Sequence, residues 1–278
     1  EAWHSLNILS LYGRAQRDED RRCAVKMIHS LGMKVCLKPM VNCLDGVWRS
    51  MIRFPEEERT HDWDIWFQSY ERFMIHYARL AQETGCEMLC TGCEMGGMDS
   101  QAQRCLHMIE TVRACYSGPL MHNINHGEEL CFPWLGAVDM IGLSAYYPVS
   151  DGVNTGLQDM CAGWAKVLPR LERCHEHYQR PIMFAEIGVR NERGCSAHPW
   201  DYRHRPELPL DEVEQANFYE TALEATWDLP WFCGYFWWDW KAILPPEEQA
   251  RENRDFTVYG KEAEKRLREW YQLDHSPT

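Results

Sequence analysis

The sequence predicts a (β/α)8 barrel. Three observations carry that expectation. Short β-like runs alternate with longer amphipathic ones along the whole chain, a pattern that implies a parallel sheet with helices on its faces. Neither G-x-G-x-x-G nor G-x-x-x-x-G-K-[ST] occurs, which removes the usual nucleotide-binding reasons for the runner-up, a doubly wound sheet. At 278 residues, with no Ser/Gly-rich linker, the chain suits a single barrel domain over 1–278.

In chain order, residues 6–11 are a further candidate strand, and 18–31 form the first amphipathic helix, closed by Gly32. The first convincing strand is 34–42 (KVCLKPMVN). Helix 65–85 follows, with Phe67, Tyr70, Phe73, Met74, Tyr77 and Leu80 at three- to four-residue spacing and Gly85 as its C-cap. Then come strand 87–94 (EMLCTGCE), helix 100–116 with Ser100 as N-cap, and strands 120–125 (LMHNIN) and 140–147 (MIGLSAYY). Helix 157–178, strand 182–189 (IMFAEIGV), helix 210–226 capped by Asp211, strand 233–240 (CGYFWWDW) and helix 261–272 complete the chain. Six convincing strands against the eight of a closed barrel imply that the first one or two units are absent or incomplete.

Composition excludes several function classes. Twenty-nine Lys+Arg against 42 Asp+Glu give a net charge of −13, and with no basic run, nucleic acid is not an expected partner. No stretch reaches the about 18–20 apolar residues of a membrane span, and residues 1–20 lack the basic leader of a signal peptide. The 13 cysteines are odd in number and scattered through strands and helices, so a reducing, cytoplasmic location is expected over a secreted one. A monomer without metal or cofactor is expected. The acidic runs at 55–59 and 247–254 read as solvated surface.

Barrel chemistry sits at the C-terminal ends of strands. Reading only those ends gives Glu94, in GCEMGG, and Glu186, in FAEIG. An isolated Glu is ordinarily a solvated surface charge, but apolar and Gly neighbours place these two on buried strands, where a carboxylate needs a partner or a purpose. Two such carboxylates facing one cleft are what retaining glycoside hydrolysis requires. The 13 Trp, 12 Tyr and 9 Phe fit a sugar substrate, because sugar C–H faces stack on aromatic rings. Trp237 and Trp238 are adjacent on a strand, so only one of them points into a barrel. Cys90 and Cys93 form a CxxC on a strand rather than at a helix start, which disfavours redox or zinc chemistry. His122 and His126 lack a further ligand, and are read as lining the cleft or bonding polar groups. The polar loop 199–206 is as consistent with a distal sugar contact as with plain surface.

The ordered motifs HSLGMKVCLKPMVN, DGVWRSMI, WFQSYERFMIHYARLA, MLCTGCEM, VDMIGLSAYYP, PIMFAEIGVRN, GYFWWDW and GKEAEKRLREWY resemble glycoside hydrolase family 113, a β-mannanase family among the retaining (β/α)8 glycosidases. The similarity runs from about Gln16 to Gln272. It implies that Glu94 is the general acid/base and Glu186 the nucleophile, with Tyr146 or Tyr147 steadying the nucleophile. Lys38, Asn42, Trp48 and Asn125 match positions near the substrate cleft, and Trp237, Trp238 and Trp240 resemble the floor beneath the sugar. The resemblance makes the first convincing strand the barrel's third, with residues 3–5 in the loop after the second. Two positions depart from pattern: Cys93 stands where most of the clan has Asn, and Met40 where the family commonly has His.

Glu94 is expected to be protonated and Glu186 ionised, with apolar neighbours such as Met95 acting on the first and the tyrosine on the second. The implied activity is cleavage of β-1,4-mannosidic bonds in mannan, glucomannan or manno-oligosaccharides by double displacement. The alternatives are an exo-acting β-mannosidase, another β-glycosidase of short oligosaccharides, and a non-catalytic carbohydrate-binding barrel.

Overall fold

The computed structural model describes residues 6–8, 17–54, 61–203 and 205–272. Residues 3–5, the second half of the candidate strand at 6–11, the acidic run at 55–59 and His204 lie outside them. The described elements are helices α1 (Asp18–Ser30), α2 (Asp62–Thr84), α3 (Gly96–Asp99), α4 (Ala102–Arg113), α5 (Leu157–Tyr178), α6 (Glu212–Thr226), α7 (Glu247–Ala250) and α8 (Glu262–Gln272). The strands are β1 (Cys36–Leu37), β2 (Met88–Cys93), β3 (Leu120–Asn125), β4 (Met140–Ser144), β5 (Ile182–Ile187) and β6 (Phe232–Trp237). They form one sheet in the order β1-β2-β3-β4-β5-β6. A doubly wound sheet reverses its order part-way. Sequential order, with parallel pairing at β1–β2, β2–β3 and β5–β6, is that of a (β/α)8 barrel, of which six strands are present among the described residues.

Contacts divide the chain into two compact units, residues 1–142 with 178–180, and residues 143–177 with 181–278. In the first, α2 lays Trp63, Phe67, Tyr70, Met74, Ala78 and Ala81 into the core, while Phe73 and Tyr77 are only half-buried. Tyr70 ties the helix to β2 by donating from its hydroxyl to the Thr91 carbonyl at 2.8 Å. Gly85, at φ 72°, closes α2 as expected. Ser100 does not cap α4; its hydroxyl donates back to the Gly97 carbonyl at 2.7 Å, because an unforeseen helical turn, α3, precedes it. β1 is two residues long rather than nine, since Pro39 has no N–H to continue the ladder. In the second unit, Trp164 on α5 stacks on Phe184 of β5, and the Asp211 side chain caps α6 by accepting from the Glu214 N–H at 3.0 Å.

Two strand irregularities lie at the candidate glutamates, one in each unit. Cys90 pairs with Met121 and Cys93 with Asn123, so three steps on β2 oppose two on β3. Phe184 pairs with Tyr235 and Ile187 with Trp237, so three steps on β5 oppose two on β6. Each is a bulge, which re-aims the side chains beside it. One immediately precedes Glu94, and the other contains Glu186.

Candidate active site

In the first unit, Glu94 follows β2 directly, at φ 55°. A non-glycine residue holds that conformation only where its surroundings over-determine it. Here the Glu94 N–H donates to the Asn123 carbonyl at 2.8 Å, and Gly92 lies against the His122 ring so closely that a Cβ there would fall 2.4 Å from Cε1. His122 is fully buried, with Nδ1 at 3.0 Å from the Thr91 hydroxyl and Nε2 at 3.0 Å from Asp99 Oδ1. It therefore bonds polar groups, the second of the two roles expected of it.

The Glu94 carboxylate is met by the segment 42–53. Trp48 Nε1 donates to Glu94 Oε2 at 3.1 Å, and Arg49 Nη1 lies 3.7 Å from the same oxygen. Arg49 also donates from Nη2 to Asn42 Oδ1 at 2.8 Å and from Nη1 to Cys93 Sγ at 3.5 Å. Asn42 and Trp48 thus reach the acid/base candidate, one through Arg49 and one directly. Glycines let the segment approach: a Cβ on Gly97 would lie 1.9 Å from the Ile52 carbonyl oxygen, and one on Gly96 would lie 2.8 Å from the Ser50 hydroxyl. Met95 is buried as expected, but the groups that touch the carboxylate are polar.

Lys38 lies half-buried one residue beyond β1. Asn125 ends β3, buried, and donates from Nδ2 to Glu128 Oε2 at 3.0 Å. Burial pushes the Glu128 carboxyl up, against the pull of the Asn125 hydrogen bonds. Cys93 is buried, and its sulfur accepts from Asn123 Nδ2 at 3.3 Å as well as from Arg49, whereas Cys90 donates to the Gly92 carbonyl at 3.1 Å. The two cysteines of the CxxC thus have different partners. Among the described residues no cysteine is in a disulfide.

In the second unit, Glu186 is buried, and Tyr146 donates from its hydroxyl to Glu186 Oε2 at 3.1 Å. The tyrosine left open by the sequence is therefore Tyr146. Tyr147, pointing the other way along the extended chain, packs against Trp164 and Phe184 at ring distances of 6.1 and 6.5 Å. In a regular strand Phe184 and Glu186 would share a face; the bulge separates them, leaving Phe184 on Trp164 and Glu186 on Tyr146. Gly188 packs under β6: a Cβ there would lie 2.0 Å from the Trp238 carbonyl oxygen, and the Trp238 N–H donates to the Ile187 carbonyl at 2.7 Å.

The tryptophans of the last strand separate. Trp237 faces the helices, stacked on Tyr235 at 4.6 Å, against Tyr219 of α6 and donating to the Tyr271 hydroxyl of α8 at 3.1 Å. Trp238, next along the chain, is partly exposed and joined to Asp239 by a cis peptide bond. Trp240 is exposed beside Tyr259. Trp238 and Trp240 remain available to a ligand; Trp237 is packing.

The sequence matches the profile of Glycoside Hydrolase Family 113 over residues 1–261. The chain belongs to that family. It is a glycoside hydrolase. Among solved structures, the family 113 β-mannanase AaManA from Alicyclobacillus acidocaldarius, in complex with ManMIm, is 38% identical, with 96% of this chain and 83% of that chain covered at a TM-score of 0.85. A second family 113 enzyme, a β-1,4-mannanase, is 31% identical over 98% of this chain and 84% of its own, at a TM-score of 0.88. A fungal β-1,4-galactanase, 10% identical, covers 90% of this chain and 80% of its own at a TM-score of 0.58, a likeness of fold alone. The comparison with curated proteins gives no match.

Arg49 and Glu128 escaped the sequence reading. Arg49 adjoins Trp48 inside a family motif, which was the available signal; Glu128 lies three residues past Asn125, where a short turn returns it to the strand end.

Proposed function

We propose that this family 113 chain hydrolyses β-1,4-mannosidic bonds in mannan, glucomannan or manno-oligosaccharides with retention, acting as one catalytic domain. Glu94 protonates the leaving oxygen as the C1–O bond breaks, and Glu186 attacks C1 to form a glycosyl ester. Glu94 then takes a proton from water, whose oxygen displaces Glu186 from C1. The reading requires the two carboxyl groups to stand about 5–5.5 Å apart across the sugar. Tyr146 steadies the Glu186 carboxylate. Lys38, Asn42, Trp48 and Asn125 bind sugar hydroxyls or rings, and Trp238 and Trp240 supply stacking faces. The observation that carries the reading is that each strand-end glutamate is turned by a bulge onto fixed donors, Trp48 and Arg49 for one and Tyr146 for the other.

Its test is proton NMR of mannohexaose hydrolysis. The β-anomer of the new reducing end should appear first; the α-anomer first would overturn double displacement. Mid-chain products indicate endo action, and release of single mannose units with turnover of p-nitrophenyl β-mannoside would indicate the exo-acting alternative. Glu186→Ala should lower kcat by at least about 10³-fold, and binding without turnover by the unsubstituted chain would leave only a carbohydrate-binding barrel.

A further inference from the structure

Glu94 presents two unlike oxygens. Oε2 faces both Trp48 Nε1, at 3.1 Å, and the Arg49 guanidinium, at 3.7 Å; Oε1 makes no hydrogen bond to any described residue. Arg49 is itself fixed: its side chain is 13% exposed, Nη2 is held by Asn42 Oδ1 at 2.8 Å, and Nη1 touches Cys93 Sγ at 3.5 Å. An oxygen facing two donors is the oxygen that does not carry the proton.

Resting on the assignment of Glu94 as the acid/base, we propose that Arg49 is a positioning residue that makes Glu94 Oε1 the proton-carrying oxygen and assists its ionisation. The acceleration is confined to one half of the cycle. As Glu94 Oε1 gives its proton to the leaving oxygen, negative charge develops on a carboxylate whose other oxygen faces the guanidinium, so the first step is accelerated. In the second step the same charge makes Glu94 a weaker base toward water and gives no acceleration. Arg49 therefore matters in proportion to how much the leaving group needs protonation. A sugar hydroxyl needs it; a 2,4-dinitrophenolate does not.

The test compares Arg49→Gln, Arg49→Lys and Glu94→Ala on mannohexaose and on 2,4-dinitrophenyl β-mannobioside. Arg49→Gln should lower kcat/KM on mannohexaose by about 10- to 100-fold, part of the about 10²- to 10⁴-fold that general acid catalysis supplies, and change the aryl substrate by less than about threefold. Arg49→Lys, which keeps the charge, should fall between Arg49→Gln and the wild type on mannohexaose. Equal losses on both substrates, as a structural role would give, or no loss on mannohexaose, would overturn the proposal. If Arg49→Gln does not fold, Arg49→Lys carries the same test, expected to show the substrate-dependent loss in smaller measure. Glu94→Ala separates the two levels: full activity on mannohexaose would sink the acid/base assignment itself, whereas its loss there beside a substrate-independent Arg49→Gln would sink only the role of Arg49.

Discussion

At the scale of single residues, one hydrogen bond decides what Tyr146 does. Its hydroxyl donates to Glu186 Oε2, so under the proposed double displacement it favours the carboxylate over a sugar ester at Glu186. That preference helps the second step, in which the ester breaks and the carboxylate returns. A hydrogen bond to a charged group is worth about 1.5–3 kcal/mol, or about 10- to 100-fold in rate. Tyr146→Phe is therefore expected to slow deglycosylation by that factor, with a burst of phenolate release and a lowered KM on 2,4-dinitrophenyl β-mannobioside as the intermediate accumulates. Stopped-flow absorbance checks it; a steady state without a burst would place the tyrosine's effect elsewhere. Strand ends in the residue order made the two glutamates candidates, and the family resemblance supplied the pair Tyr146/Tyr147. The choice between the tyrosines was not legible, since it depends on which face of the strand meets Trp164 and Phe184.

At the scale of elements, the six long helices were found within a few residues of their bounds, because a 3.6-residue apolar stripe survives in sequence even when half of it is shallow, as at Phe73 and Tyr77. The bulges left no such trace. An inserted residue changes pairing without changing composition, so nothing in EMLCTGCE or IMFAEIGV announces that β2 and β5 turn just where the glutamates sit. Trp237 belongs to the same class of miss: its helix-facing side is set by pairing with Ile187, which the aromatic run does not encode. The glycines, by contrast, were visible but unread. Gly188 allows the Trp238 carbonyl oxygen to within 2.0 Å of where a Cβ would stand, and that obstacle is backbone. Gly188→Ala should cost about 1–3 kcal/mol of stability, as overpacking does, and should lower kcat as well because Glu186 is two residues away. Thermal unfolding and kinetics on the same variant check this; an unshifted melting temperature would show that β6 gives way freely.

At the scale of the whole molecule, pH acts through groups other than the glutamates. Lys261, just before α8, is buried and fully desolvated, with Nζ donating to the carbonyls of Thr257 at 2.7 Å and Asp255 at 3.3 Å. Burial lowers its pKa to about 8, and Arg190 pushes the same way, against Asp255, Glu212 and Asp239. For an ammonium, a lowered folded-state value means that the unfolded chain binds the proton more tightly. The charged lysine therefore weakens the fold in full below about 8, and the penalty fades as pH rises toward the ordinary value of 10.5. Total stability will not display this directly, because thiols such as half-buried Cys36 and buried Cys105, held up by desolvation, favour the unfolded chain over the same range, and the net charge of −13 grows more negative. The difference between wild type and Lys261→Met removes those shared contributions. The variant also strands two carbonyls, so the informative quantity is the slope with pH rather than the offset. Denaturant unfolding should show the folding constant of the wild type rising relative to the variant by up to about tenfold per pH unit between 8 and 10.5. A flat difference would mean that Lys261 titrates alike in both states, and that its carbonyl contacts fully replace water.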